Sequence, residues 1–393
     1  MIDLLKLSIT NSELIHYFEN HTLLDWYMTE DKINYFDLEV IKTKTVKHYK
    51  GIIFCFYSNR LEILFKPHYY HNNNLHNAND FNVIDCIKAI TSLKTVFKID
   101  LRLLKVVNIE FGINIISPID VTKLVTYLLY HDKNEFRTDN NLSFSKKSFK
   151  SNSKGLVNNY KIIKGYAKGL QFPEYCNRNT FRFEIKSKQS KYINTLGIYT
   201  TNDLLNYSVY DCLGNEIIKE WNNVLLLDCE TNFSHLKAIE QQKINSYLNT
   251  LTWFKISQDK YRNRFNKERN KYYNLINKID DNLKKQLDKI IFYKIEFLKK
   301  GAISTQSKKV LLNSNLKSGA ISMNSIKKKS SAISNIYKGG IRTSFDNSIT
   351  NKPIELKNKI LDWSYNAQKE NIKEFNRIAV LKYNNRNQNI LAK

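Results

Sequence analysis

The sequence predicts an α+β fold, with a mainly antiparallel sheet covered by helices in the N-terminal half and an all-α C-terminal region. Three observations predict it. Residues 50–66, KGIIFCFYSNRLEILFK, hold two β-branched and aromatic runs on either side of Ser58-Asn59, the signature of a hairpin. The order strand, strand, helix, strand up to residue 116 mixes periods of two and 3.6. Residues 234–300 lack Pro and Gly and carry Leu, Ile, Tyr and Trp at helical intervals.

Taken in order, residues 1–9 alternate as a short strand. Thr10-Asn11-Ser12 then supplies a helix cap before Glu13 to Phe18. The hairpin follows and places Glu62 within a strand. Pro67 ends it and opens a polar, Asn-rich loop, HYYHNNNLHNAND. Ile84, Ile87, Ile90, Leu93 and Phe97 mark a helix capped by Asn79 or Asp80, and residues 103–116 a further strand. Ser117-Pro118-Ile119-Asp120 has the form of a capping box with Pro at the first helical position, which predicts a helix to about His131. Asp132 to Asn159, rich in Ser, Asn and Lys, reads as a mobile basic loop. Two short strands come next, Lys161 to Ala167 and Thr180 to Ser187, and Thr200 to Asp203 caps another helix. The expected organisation is an α+β domain over 1–210, a helical region over 211–300 closed by Gly301, and a basic tail over 301–393. The tail repeats GAIS at 301 and 319 and SAIS at 331, reads as helical or partly disordered, and ends in a helix over 353–380.

With 393 residues, 42% of them hydrophobic, the chain can bury a sizeable core. Its 62 Lys and Arg against 37 Asp and Glu give a formal charge of +25, which attracts a polyanion by counterion release. Nucleic acid is the first candidate, although solvated Lys faces and a Lys- and Asn-rich composition also produce such a balance. The 24 tyrosines and 21 phenylalanines supply faces for stacking unpaired bases, a weak pointer to single strands. Five scattered cysteines without a CxxC pair argue against a zinc ribbon or redox couple and fit a reducing cytoplasm. Asp3 and Lys6 interrupt the first apolar run, so it is neither a signal peptide nor a membrane span. There is no GxxxxGK[ST] loop, dinucleotide fingerprint or HExxH, which argues against an ATP-driven motor.

The chemistry-bearing residues that remain are strand-borne carboxylates and one well-placed tyrosine. Glu62 in RLEILFK, Glu110 in VVNIEFGI and Glu184 in TFRFEIKS each have apolar neighbours. A carboxylate is costly to bury alone, so several sharing a cation such as Mg²⁺ or Mn²⁺ is one expectation; each facing solvent is the other. Tyr166 lies between Lys164 and Lys168, cations that favour a phenolate able to attack a phosphodiester. Tyr160, Tyr175 and Tyr192 are local rivals. His68 and His71, separated by two tyrosines, read as a surface turn rather than a metal site.

The successive pieces MIDLLKLSI, GIIFCFYSNRLEILFK, NDFNVIDCIKAI and VNIEFGINI, then IKGYAKGLQ and FRFEIKSKQSKYINTLGI, resemble in order the rolling-circle replication initiators grouped around the gene II protein of filamentous phages. More distant relatives are plasmid initiators. The resemblance spans roughly residues 1–210. It implies a nicking endonuclease and strand transferase of the host cytoplasm, with Tyr166 as nucleophile and Lys168 and Arg182 as phosphate-contacting cations. Glu110, Glu184 and Glu62 would hold the divalent metal. The implied partners are origin DNA, single-stranded or supercoiled, and a host polymerase and helicase, with no membrane. A mobilisation relaxase shares this chemistry, and a non-catalytic DNA- or RNA-binding protein is the alternative from another class.

Overall fold

In the computed structural model, which describes residues 1–33, 40–139, 144–151, 155–261 and 263–300, the described strands pair antiparallel throughout. The strand β1 (Ile2–Ile9) leads into α1 (Ser12–Glu19), whose start is fixed by the Asn11 side chain accepting from the Leu14 amide. A hairpin that the sequence did not signal, β2 (Asp25–Ile33) and β3 (Val40–Tyr49), comes next. The expected hairpin is β4 (Ile52–Phe56) and β5 (Leu61–Phe65).

Pro67 begins a helix instead of opening a loop: α2 (Pro67–His71) has proline in its first turn, where no amide donor is needed. The next helix, α3 (Val83–Phe97), is capped by Asn82 rather than by Asn79 or Asp80, because the Asn82 side chain reaches the Asp85 amide. After β6 (Lys105–Ile116), Asp120 is itself the cap of α4 (Val121–Tyr127), accepting from the amides of Thr122 and Lys123. This helix stops at Tyr127 because β7 (Leu128–His131) pairs on both sides in a small second sheet.

Among its described residues, the stretch expected to be a mobile basic loop is mostly strand: β8 (Asn134–Glu135), β9 (Arg137–Thr138), β10 (Ser145–Ser151) and the start of β11 (Val157–Ala167). Its lysines hid the pattern, yet Lys146 caps the end of α4 through the carbonyls of Thr126 and Leu128. The short α5 (Lys168–Gln171), then β12 (Thr180–Ser187), α6 (Ser190–Thr195), α7 (Tyr207–Asn222) and β13 (Val224–Leu226) follow. The helical region contains α8 (Ala238–Leu248), α9 (Thr250–Ser257), α10 (Arg264–Ile276) and α11 (Leu283–Lys300). The expected boundary at 210–211 falls inside α7, and the described residues fall in one unit. The expected Gly301 cap, the GAIS repeats and the helix over 353–380 lie outside the described residues.

The main sheet runs β2-β3-β4-β5-β1-β6-β12-β11-β10-β9. Alternation along its central strands sorts two faces. Ile109, Phe111, Ile113, Phe181, Phe183 and Ile185 enter a core shared with α3, α7 and α11, where the Trp221 ring stands 5.3 Å from that of Phe183. The opposite face carries Asn108, Glu110, Asn114, Arg182, Glu184 and Lys186. A second apolar cluster holds α8, α9 and α10 around Trp253, Phe265 and Tyr272, against Leu225, Leu227 and Tyr130.

Candidate active site

Register builds the site. Across β11, β12 and β6, Tyr166 faces Arg182, which faces Asn114; two residues along, Lys164 faces Glu184, which faces Gly112. Side chains directly opposite in a sheet share a face and lie about 5 Å apart, so these rows interlock. Gly112 leaves room for them. A Cβ there would come 2.3 Å from the Phe183 carbonyl and 2.9 Å from the Glu184 Cα.

The Tyr166 hydroxyl donates to Glu184 Oε2 at 3.2 Å, and Arg182 Nε donates to the same oxygen at 3.1 Å. Arg182 Nη1 also donates to Asn114 Oδ1 at 2.8 Å, and Nη2 pairs with Asp3. Lys164 Nζ bridges the two glutamates, 2.7 Å from Glu184 Oε1 and 3.3 Å from Glu110 Oε2. Lys186 completes the pairing of Glu110. Lys168 is 1% exposed and donates to Asn77 Oδ1 at 2.5 Å and to Gln171 Oε1 at 3.0 Å, with Nζ 5.4 Å from the centre of the Tyr166 ring.

Burial and charge set the protonation states. Burial, reinforced by the charge of Glu184, pushes the Tyr166 phenol well above its usual range. Burial would raise Glu184 too, but the charges of Lys164 and Arg182 outweigh it and hold the carboxyl well below the ordinary range. Glu110 moves the other way, through burial and the neighbouring Glu184. Burial, with help from Arg182, lowers Lys168 to about 7. The sequence expectation that lysines would favour a phenolate therefore meets the opposite field in the resting protein: the carboxylate touching the hydroxyl holds the proton on it.

Tyr166, Lys168, Glu110 and Glu184 line one cleft together with Asp3 and Lys164, and Arg182 lies behind them. Glu62 is not brought in: it pairs with Lys6 at 2.6 Å and Arg60 at 3.1 Å, opposite Ser8 on β1. Among the rivals, Tyr160 packs on Tyr192, Tyr192 donates to Glu216 at 3.0 Å, and the Tyr175 ring lies 4.0 Å from that of His76.

The donor set does not fit the expected Mg²⁺ or Mn²⁺ as the side chains stand. The Lys164 ammonium occupies the space between Glu110 and Glu184 where a shared ion would sit. Among the described residues no three His, Cys, Asp or Glu side chains are grouped to ligate an ion.

Sequence reasoning missed the layer behind the site. His68, expected on a surface turn, is 2% exposed, stacks on Phe81 at 4.5 Å, and contacts Asp3 at 3.3 Å and Asn79 at 2.8 Å. Asn77 joins Lys168 to Asp3, donating to Asp3 Oδ2 at 3.2 Å. The available signal was Asp3 itself, a carboxylate between Ile2 and Leu4 near the start of the first strand, which, once buried, requires a cation or hydrogen-bond donor.

No protein family and no curated protein matches the sequence. A solved structure, the rolling circle replication initiator protein from Geobacillus stearothermophilus, is similar with a TM-score of 0.34 and 9% identity. The match covers 61% of this chain and 89% of that one. A likeness at this level bears on neither activity nor partner. Among the described residues no helix is long and apolar enough to cross a membrane.

Proposed function

We propose that the chain nicks and rejoins DNA through Tyr166, as an initiator of rolling-circle replication. The observation that carries the proposal is the contact between the Tyr166 hydroxyl and Glu184, on a cleft whose walls also present Lys164 and Lys168. A tyrosine, a proton acceptor and cations on one rigid sheet face supply the parts of a phosphoryl transfer.

In this mechanism a phosphodiester enters the cleft and Lys164 and Lys168 meet its oxygens. Tyr166 Oη attacks phosphorus, the bond to the 3′ oxygen breaks, and the products are a 5′-phosphotyrosine and a 3′ hydroxyl. The phenol proton passes to Glu184, and the departing 3′ oxygen takes up a proton from solvent water. Glu184 is a weak base while Lys164 is beside it. A phosphate that draws Lys164 toward itself raises the basicity of Glu184 as the proton has to move. The phosphotyrosine conserves the bond energy, in keeping with a sequence that has no nucleotide-binding loop. No step is routed through a divalent ion. The 3′ hydroxyl would serve a host polymerase, with a helicase opening the duplex.

A non-catalytic, basic nucleic-acid-binding protein is the alternative, and the burial of Tyr166, 8% exposed, favours it. Incubating the full chain with supercoiled plasmid or single strands carrying the DNA that encodes and flanks it separates the two. The proposal expects nicked circles and a covalent protein–DNA species, both absent in Tyr166→Phe. Binding that falls steeply with salt, without any covalent species, identifies the alternative.

A further inference from the structure

The second apolar cluster supports a helix whose outer face has no role in the cleft. On α10, Phe265, Tyr272 and Ile276 are buried in that cluster. The helix is also tied to the β13 segment by polar contacts: Arg269 Nη1 donates to the Asn223 carbonyl at 2.6 Å, and Tyr273 to that of Val224 at 2.8 Å. The position of α10 is therefore fixed on one side.

Its other side is Arg264, Asn266, Lys267, Asn270, Lys271 and Asn274, all exposed. Every one is Asn, Lys or Arg. Two of the cations have acidic neighbours, Arg264 pairing with Asp259 and Lys271 with Glu268 at 2.7 Å. Glu268 is turned inward by the Tyr247 hydroxyl at 2.7 Å, so the outermost surface stays basic. The helix that carries this face is 13 residues long, close to 20 Å at about 1.5 Å per residue.

We propose that α10 docks in the major groove of duplex DNA, with Lys267 and Lys271 on phosphates and Asn270 and Asn274 toward base edges. The side-chain types are those that read this groove: Asn pairs with adenine N6 and N7, while Lys and Arg meet guanine or phosphate. Along α10 itself no aromatic ring is exposed, Tyr261 at 78% exposure standing alone before its first turn, so this convex face lacks the row of stacked rings that single strands use. The major groove of A-form RNA is too narrow to admit a helix. The choice of DNA as the polyanion rests on the function proposed for the Tyr166 cleft; the docking surface itself does not involve that cleft.

The test uses the full chain and the double variant Lys267→Ala/Lys271→Ala. Both side chains point outward, so an unchanged circular dichroism melt checks folding. Binding is read by fluorescence anisotropy on a 30-base-pair DNA duplex, on a single strand of the same sequence and on the matching RNA duplex, over a salt series. The double variant should lose about an order of magnitude in duplex affinity per lysine at 0.1 M salt, and its salt slope should flatten by about two. Its single-strand binding should not change. Duplex binding equal to that of the native chain, equal losses on single and double strands, or RNA duplex bound as tightly as DNA would each overturn the proposal. Covalent attachment to single strands through Tyr166, measured in parallel, reports separately on the proposed nicking. Failure there with the duplex result intact leaves the α10 surface standing.

Discussion

Tyr166 donates its hydroxyl proton to Glu184 at 3.2 Å, across the β11–β12 pair and one diagonal step from its direct neighbour Arg182. That diagonal lets one carboxylate touch the phenol while its other oxygen holds Lys164. Replacing Glu184 with Gln keeps the shape but leaves Lys164 and Arg182 in a buried site without their shared counterion. Removing one partner of such a cluster costs about 3–5 kcal/mol, to be read by urea denaturation. Nicking should fall about 10²–10⁴-fold with loss of the proton acceptor.

Lys164 fills the space between two carboxylates, so Lys164→Ala should open a cation site. Titration calorimetry is expected to show Mn²⁺ bound more tightly by Lys164→Ala than by the native chain. Equal affinity would mean that Lys164 swings aside for the ion.

Lys168 gives a pH signature in stability. Its proton is lost at about 7 in the folded chain and at 10.5 when exposed. Below about 7 both states carry the proton and the cost of burying the charge is full. Between about 7 and 10.5 the unfolded chain binds more protons, so this group makes stability rise with pH. Lys168→Met should remove that rise, measured as the difference in unfolding free energy between pH 7 and pH 9.

Away from the cleft, fully buried Glu220 on α7 joins two strands, accepting from Lys161 Nζ at 2.5 Å and contacting His131 Nε2 at 2.7 Å. Burial raises its carboxyl, but the bonds from His131 and Lys161 outweigh this and bring it down to about 2 from 4.5. The stabilisation is complete above pH 4.5 and is lost as pH falls through about 2, on the order of 3 kcal/mol in all. Acid unfolding of Glu220→Gln should lack that component.

Gly112 yields a geometric prediction. Gly112→Ala places a methyl against the Phe183 carbonyl and pushes β12 away from β6. Because β12 carries both Arg182 and Glu184, nicking should drop further than the melting temperature, read by assaying both on one preparation.

Much of this was legible in the sequence where a local period was clean. The alternation in β1, β5, β6 and β12 gave the strands and put Glu110 and Glu184 among core neighbours, and Asn11 announced its own helix. The β2–β3 hairpin was not legible, since DWYMTEDKI and VIKTKTVKHY carry charges through their length. The same masking hid β10, SKKSFKS. Which strands adjoin is a long-range property. Only the register across β6, β12 and β11 separates Glu62, held by Lys6, from the other two glutamates. The inward direction of His68 likewise depends on Asp3, 65 residues away.

Mass spectrometry of the protein after reaction with DNA and nuclease trimming tests directly whether Tyr166 is the nucleophile. A nucleotide linked through its 5′ phosphate to the peptide containing Tyr166, on the tyrosine oxygen, is the expected product, with no such peptide from Tyr166→Phe. A nucleotide on Tyr160, Tyr175 or Tyr192, or nicked DNA with no residue modified, would contradict it.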